Sequence, residues 1–298
     1  MKIFIAGGTG FLGKEIIKKL LEAGHQITAL TRNQRTTSLP EGVAVIAGSP
    51  LKEGAWQQEI PGHDVIINLT GHNIFCRWTK KNKNLILQSR IVATRNIVNA
   101  IEAENNGITL INGSASGYYG FCGDEDVFEQ APAGHDFLAK VCTAWEREAE
   151  QAKSKARVIS IRSGIVLAAN GGALARMLPG FRLGVAGRLG SGKQWFPWIH
   201  IDDFTAALLF LINNHEISGP VNICAPHPNR NIEFTKSLGK VLYRPTILPV
   251  PTPIVRLALG ELGSVLLEGC RMRPGVLQKN FFKFTHPKLE EALLSLLT

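Results

Sequence analysis

Through residues 1–165, short apolar runs alternate with longer amphipathic stretches. Lys2–Ala6 reads as a strand. Gly13–Ala23 reads as a helix, with Ile16, Ile17, Leu20 and Leu21 on one face. Gln26–Leu30 and Val43–Ala47 are the next strands. Asp64–Leu69 follows, apolar throughout and so expected to be covered on both faces. Lys81–Glu104 carries Leu85, Ile86, Val92, Ile97 and Ile101 at helical spacing. Ile108–Asn112 and Val158–Ile161 read as strands on either side of a helix at Phe137–Ala152. This βαβ alternation predicts an α/β fold, a doubly wound parallel sheet with helices on both faces.

After Val166 the pattern changes, and glycine and proline become dense between Gly171 and Pro197. Asp202–Asn213 reads as a helix and Val221–Ala225 as a strand. Pro245, Pro249, Pro251, Pro253 and Pro274 then separate short helices. The expected division is a sheet domain over 1–167, with 199–225 returning to it, and a smaller mixed C-terminal lobe over 168–298. The apolar stretch Ile254–Leu267 is either core or a partner surface.

Composition narrows the class. Of 298 residues, 45% are apolar and 19% charged, which excludes a disordered or fibrous chain. The five cysteines are odd in number and include no CxxC, so reduced thiols and a cytoplasmic location are expected. The N-terminal apolar run breaks at glycine after five or six residues, too short for a signal peptide. No apolar run reaches the ~18 residues of a membrane span, so no membrane partner is expected. Lys plus Arg is 33 against 24 for Asp plus Glu, a net charge of +9 that permits an anionic partner. The basic residues form no stripe interleaved with aromatics, which argues against nucleic acid and for a phosphate-bearing small molecule. A homodimer is left open.

Residues 7–13 supply the phosphate site. Gly7, Gly8, Thr9, Gly10, Phe11, Leu12 and Gly13 lie directly after a strand and open a helix. In that context the glycines allow a sharp turn, close approach of backbone N–H groups to a pyrophosphate, and tight helix packing. The second strand ends Leu30-Thr31-Arg32-Asn33, without the acid that would accept from an NAD ribose. Arg32, with Arg35 assisting, suits a 2′-phosphate instead, so NADP(H) is expected over NAD(H). The fourth strand ends Asn68-Leu69-Thr70-Gly71, at the crevice beside the cofactor ribose and pyrophosphate. Arg90, on the following helix, either faces the same crevice or points to solvent.

Gly7–Gly13, the Asn68–Gly71 strand end and Ser114-Ala115-Ser116-Gly117-Tyr118-Tyr119-Gly120 together resemble the extended short-chain dehydrogenase/reductases. Arg162–Leu167, Gly190–Trp195, Pro197–Asp203 and Leu267-Glu268-Gly269 are similar to one subgroup, the "epimerase family protein" set, related to NAD(P)-dependent epimerases and dehydratases. The resemblance spans nearly the whole chain and implies a Rossmann-type domain that binds NADP(H). It supplies no substrate.

The superfamily works with a Ser or Thr, a Tyr, and a Lys four residues after it. This chain has three tyrosines, Tyr118, Tyr119 and Tyr243, and none is followed by Lys at that spacing. Aligning the family's helix puts Leu138 at the Tyr position and Cys142 at the Lys position, with Lys140 two residues off. Ala115 falls at the Ser position, between Ser114 and Ser116. Two readings follow. One is a reductase or epimerase-like oxidoreductase with substituted groups, for which Ser114, Tyr118 and Lys140 are the catalytic candidates. Ser116, His200 and Asp202 stand next in line. The other is a non-catalytic NADP(H) sensor or scaffold.

Other motifs fail. Gly187–Gln194 nearly matches a Walker A loop, but Gln194 replaces the magnesium ligand and Pro197 opposes the helix that must follow. Gln194 and Trp195 more plausibly line the cleft between the lobes. The eight histidines show no metal-ligand spacing, and no metal is expected. Asp202-Asp203 reads as a helix cap.

Overall fold

The computed structural model describes residues 1–33, 39–102 and 107–298. Arg35 lies outside the described residues. Its core is a parallel seven-stranded sheet built from β1 (Lys2–Ala6), β2 (Gln26–Thr31), β3 (Ala44–Ala47), β4 (Val65–Asn68), β5 (Thr109–Ala115), β7 (Arg157–Ser163) and β11 (Gly219–Ile223). Between β5 and β7 in the chain lies the short β6 (Asp126–Val127). β8 (Ile165–Ala168), β9 (Trp195–Phe196) and β10 (Trp198–His200) precede β11. The spatial order is β11-β7-β5-β4-β1-β2-β3. The order therefore reverses between β1 and β4, where a doubly wound sheet opens its ligand crevice.

The helices divide between the two faces. α1 (Phe11–Glu22) and α5 (Ile201–Asn213) cover one face, where Ile16, Ile17, Phe204 and Leu208 join Ile3, Ile5 and Ile67 in a single buried cluster. α2 (Lys80–Ala100) and α3 (Phe137–Glu150) cover the other, with Ile97, Ala149, Trp56 and Ile60 packed on Phe4 and Ile66. Val65–Asn68 is buried at all four positions, Val65, Ile66 and Ile67 as their apolar run requires and Asn68 with its amide hydrogen-bonded. β5 runs to Ala115, three residues beyond the predicted strand, because Gly113, Ser114 and Ala115 pair with Ile161, Arg162 and Ser163 of β7. Its polar end is therefore buried, which the period of the sequence does not show.

The C-terminal lobe is built from α4 (Gly172–Arg182), α6 (Asn231–Val241) and α10 (Leu289–Leu297), packed on β8 and β10 around Trp198 and Phe234. β12 (Asn229–Arg230) pairs antiparallel with β9, and β13 (Arg271–Met272) pairs with β6. α7 (Thr252–Leu259), α8 (Glu261–Leu266) and α9 (Gly275–Lys279) connect these pieces.

The Asp202-Asp203 pair does not cap α5. His200 is the cap, its Nδ1 accepting from the Asp202 N–H at 3.0 Å. Asp203 is fully buried, and its carboxylate accepts from the backbone N–H of Thr285 (2.7 Å) and His286 (2.9 Å), fastening the lobe to the sheet. Asp203→Ala removes both acceptors at once. It is expected to cost about 2–4 kcal/mol, since unpaired buried donors bear the desolvation penalty. Hydrogen exchange should quicken first at the Thr285 and His286 amides, and unchanged exchange there would refute the role.

Candidate functional site: a crevice at the carboxyl ends of β1 and β4

The turn after β1 is shaped by close approach. Gly7 has φ +88°, and a Cβ on it would lie 2.9 Å from the Leu69 carbonyl carbon. A Cβ on Gly13 would overlap the Gly7 carbonyl oxygen, so helix α1 meets the turn only because that position is glycine. Gly10 caps α1 through its backbone, with no side-chain cap and no acid in the first turn. The first N–H groups of α1 thus face the crevice with the positive end of the helix dipole.

Across the crevice, the end of β4 is pinned from behind. Asn68 is fully buried and donates to Thr94 Oγ1 and Asn112 Oδ1, both at 2.8 Å, while Trp145 Nε1 donates to the same Thr94 oxygen at 2.9 Å. Asn68 Oδ1 accepts from the Thr70 N–H. This network ties β4 to β5, α2 and α3 and fixes the backbone of Leu69, Thr70 and Gly71. Thr70 Oγ1 is buried without a hydrogen-bond partner. Such orphaned hydroxyls are rare in folded proteins and mark an unmet acceptor or donor.

Arg90 resolves toward the crevice. Its guanidinium lies 2.7 Å from where a Gly71 Cβ would stand and 5.0 Å from the Trp145 ring, donating to the carbonyls of Ile86 (2.9 Å) and His72 (3.1 Å). Burial lowers its pKa from the ordinary arginine value, with the Cys142 thiol opposing that shift. Thr31 is buried at the end of β2, its Oγ1 accepting from the Asn33 N–H, and Arg32 beside it is exposed.

The catalytic candidates separate. Ser114 is buried and donates to Glu146 Oε1 at 2.5 Å. Glu146 receives Arg162 through both oxygens, Nε to Oε1 at 2.9 Å and Nη2 to Oε2 at 2.7 Å. Burial alone would lower the Arg162 pKa, but the Glu146 carboxylate holds it above the usual value. Arg162 Nη1 donates to the Tyr119 hydroxyl, which donates to Asn222 Oδ1 at 2.6 Å. Glu129 Oε1 accepts from the backbone N–H groups of Asn222 and Val276. Tyr118 is half-buried with its ring 3.4 Å from the Arg162 guanidinium carbon. Lys140 is exposed on α3, about 200° around the helix from Cys142. Ser114 and Tyr118 are thus neighbours of one buried ion pair, and Lys140 is not part of it.

The positions matched to the family's Tyr and Lys are apolar or inert. Leu138 packs on Gly117. Cys142 is buried, its thiol pushed up to about 12 by burial and, second, by Glu146. Gln194 is bound within the lobe, its Nε2 donating to Leu189 O and Leu266 O, whereas Trp195 Nε1 reaches across to Asp124 of the sheet domain. Strand β9 follows the Gly187–Gln194 loop, where a Walker A loop requires a helix.

Sequence spacing did not reveal that His200, Asp202 and His286 converge, with ligand-type atoms within 4.8 Å. The two imidazoles stack at 3.8 Å with 28° between planes, so their in-plane lone pairs do not converge, and His200 Nδ1 already accepts from Asp202. The trio is a contact between α5 and the lobe. Glu146 and Arg162 were also missed, since their roles come from pairing across the fold.

Known proteins share this architecture. The sequence profile of the NAD dependent epimerase/dehydratase family matches residues 3–224, and that of a domain of unknown function matches residues 250–296. Epimerase family protein YfhF of Bacillus subtilis is 38% identical over 301 residues, covering 100% of this chain and 98% of the relative. The chloroplastic SDR39U1 homolog of Arabidopsis thaliana is 36% identical over 302 residues, covering 100% of this chain and 87% of the relative. Among solved structures, human epimerase family protein SDR39U1 (isoform 2) with NADPH superposes with a TM-score of 0.89 at 30% identity, covering 99% of both chains. The UDP-glucose 4-epimerase of Thermus thermophilus, in complex with NAD, gives 0.78 at 15% identity over 99% and 98% of the two chains, a likeness of fold alone.

Two outcomes are expected of the buried groups. Glu146→Ala should cost about 3–5 kcal/mol by denaturant unfolding, because it strands Arg162, whereas Glu146→Leu with Arg162→Met should recover most of that loss. At about pH 8 a thiol reagent should label half-exposed Cys76 well before Cys142, whose thiol stays protonated until the chain unfolds. Equal labelling rates by mass spectrometry would contradict that burial.

Proposed function

The chain belongs to the NAD-dependent epimerase/dehydratase family, and we propose that within it this protein binds NADP(H) in preference to NAD(H) and acts as an atypical reductase or epimerase-like oxidoreductase. The observation that carries the reading is the crevice itself: a glycine cradle at the N-terminus of α1, with the buried and unpartnered Thr70 hydroxyl just past the end of β4 beside it. Both suit a dinucleotide pyrophosphate and ribose. The human relative solved with NADPH supports the same ligand class.

In this reading the N–H groups at the start of α1 hold the pyrophosphate. Thr70 Oγ1 gains a ribose partner, and Arg90 supplies a fixed positive charge where the alignment leaves Cys142 in place of lysine. Arg32, exposed at the end of β2 with no acid beside it, pairs with the 2′-phosphate. The bound nicotinamide would give or take a hydride. The chain's own part is to orient it and exclude water, and Ser114, Tyr118 and Lys140 are the groups proposed to handle the proton.

One observation favours the second reading, a non-catalytic NADP(H) sensor or scaffold. Leu138 and Cys142 occupy the family's acid–base positions, and Ser114 is already committed to Glu146. Turnover separates the readings. NADPH oxidation against a panel of carbonyl compounds, lost in Tyr118→Phe, supports the enzyme. Tight NADPH binding with no turnover on any compound supports the sensor.

Arg32→Ala is expected to weaken NADPH binding about tenfold to a hundredfold, as the loss of a charged hydrogen bond does, and to leave NADH binding nearly unchanged. Titration calorimetry with both nucleotides reads the difference. Equal loss for both, or no loss for NADPH, would overturn the assignment of Arg32.

A further inference from the structure

The net positive charge is concentrated. No Asp or Glu occurs from residue 151 to 201, and none from 234 to 260. Within these stretches, residues 182–190 and 244–250 lie side by side in the lobe. Leu189 bridges Val250, the Val250 N–H donates to Arg188 O, and Arg244 Nε donates to Arg182 O at 2.7 Å. Thr252, which opens α7, stands against Gly190 and carries the surface onward.

These two acid-free stretches hold large apolar side chains in the open. Leu183 is 76% exposed, Tyr243 89%, Ile247 83% and Leu257 90%. Val255 is the one buried residue of α7. Arg182, Arg188, Arg244 and Arg256 are exposed among them. Single exposed apolar residues are ordinary, but a basic surface carrying this many is not.

We propose that this face docks the protein onto an anionic lipid bilayer. The aliphatic and tyrosine side chains enter the headgroup boundary, and the arginines around them meet the lipid phosphates. A second copy fits poorly, because pairing two such faces would set the arginines of one against those of the other. An acidic protein fits less well than a bilayer. The apolar side chains stand out from the surface, and none of them lines the cavities of about 250 and 520 Å³ elsewhere in the molecule. Protein hot spots fill pockets, whereas a bilayer moulds around what enters it. A span is needed to cross a membrane but not to rest on one, so the expectation of no membrane partner, drawn from the missing span, does not bear on this contact.

Sedimentation of the full chain with vesicles tests the proposal. It should pellet with phosphatidylcholine vesicles containing phosphatidylglycerol and not with phosphatidylcholine alone, and added salt should weaken the binding. Ile247→Asp with Leu257→Asp, and separately Arg188→Glu with Arg256→Glu, should each lower vesicle affinity about tenfold or more. Their thermal midpoints should match the parent's, since these side chains are exposed. Absence of binding to the anionic vesicles overturns the proposal, as does binding unchanged in both variants. So do two further results: retention on polyglutamate without vesicle binding, which points to an acidic protein, and a dimer dissociated by Leu257→Asp, which points to a second copy.

Discussion

The two-pronged contact between Arg162 and Glu146 stands at the junction of nearly every part of this molecule. Arg162 comes from β7 and Glu146 from α3. Their partners reach β5 through Ser114, the 116–129 loop through Tyr119 and the Glu129 carbonyl, and β11 through Asn222. Asn222 in turn donates to Arg273 O, and the Glu129 carboxylate holds the Val276 N–H, so the chain of contacts ends in the lobe. An ion pair this deep gains little over apolar packing. Its effect is on arrangement: the pair sets the end of β5, where chemistry would be done, at a fixed place relative to the lobe that must cover it.

The same pair bears on what kind of protein this is. In a routine member of the superfamily, the groups beside the strand-five serine move protons. Here the nearby serine is held by a carboxylate that is itself neutralised, and the lysine position carries a thiol that burial keeps protonated. A fixed positive charge beside the end of β4 comes from Arg90 instead, reaching over from α2. The glycine turn follows the superfamily pattern, whereas the positions of its catalytic Tyr and Lys do not.

How much of this the sequence shows depends on distance along the chain. The strands and helices of the sheet domain were legible because each writes its own period in consecutive residues. The glycine turn was legible for the same reason, since Gly7 and Gly13 act on each other within one local segment. Arg90 left two options open, because a helix position alone does not say what lies beside it. Pairings between distant segments were not legible. Ser114 meets Glu146 32 residues away, and Asp203 meets Thr285 82 residues away. Asp203 reads as a cap because an acid before an apolar run usually is one, and His200 reads as a catalytic candidate instead because its ring caps helices less often. The polar end of β5 was lost for a related reason: Gly113 and Ser114 look like a loop until β7 is placed beside them.

One small contact reaches beyond this molecule's own energetics. Phe11, the first residue of α1 and part of the phosphate turn, lies so close to Gly171 at the start of α4 that a Cβ there would overlap its ring. The two positions belong to different halves of the protein but share one volume. Over evolutionary time they are therefore not free to drift separately. A larger residue at 171 becomes admissible only where 11 has shrunk, and an aromatic at 11 obliges glycine at 171. Related sequences should record that contact as paired change, leaving in the history of the family a trace of how its lobe came to rest on the glycine turn.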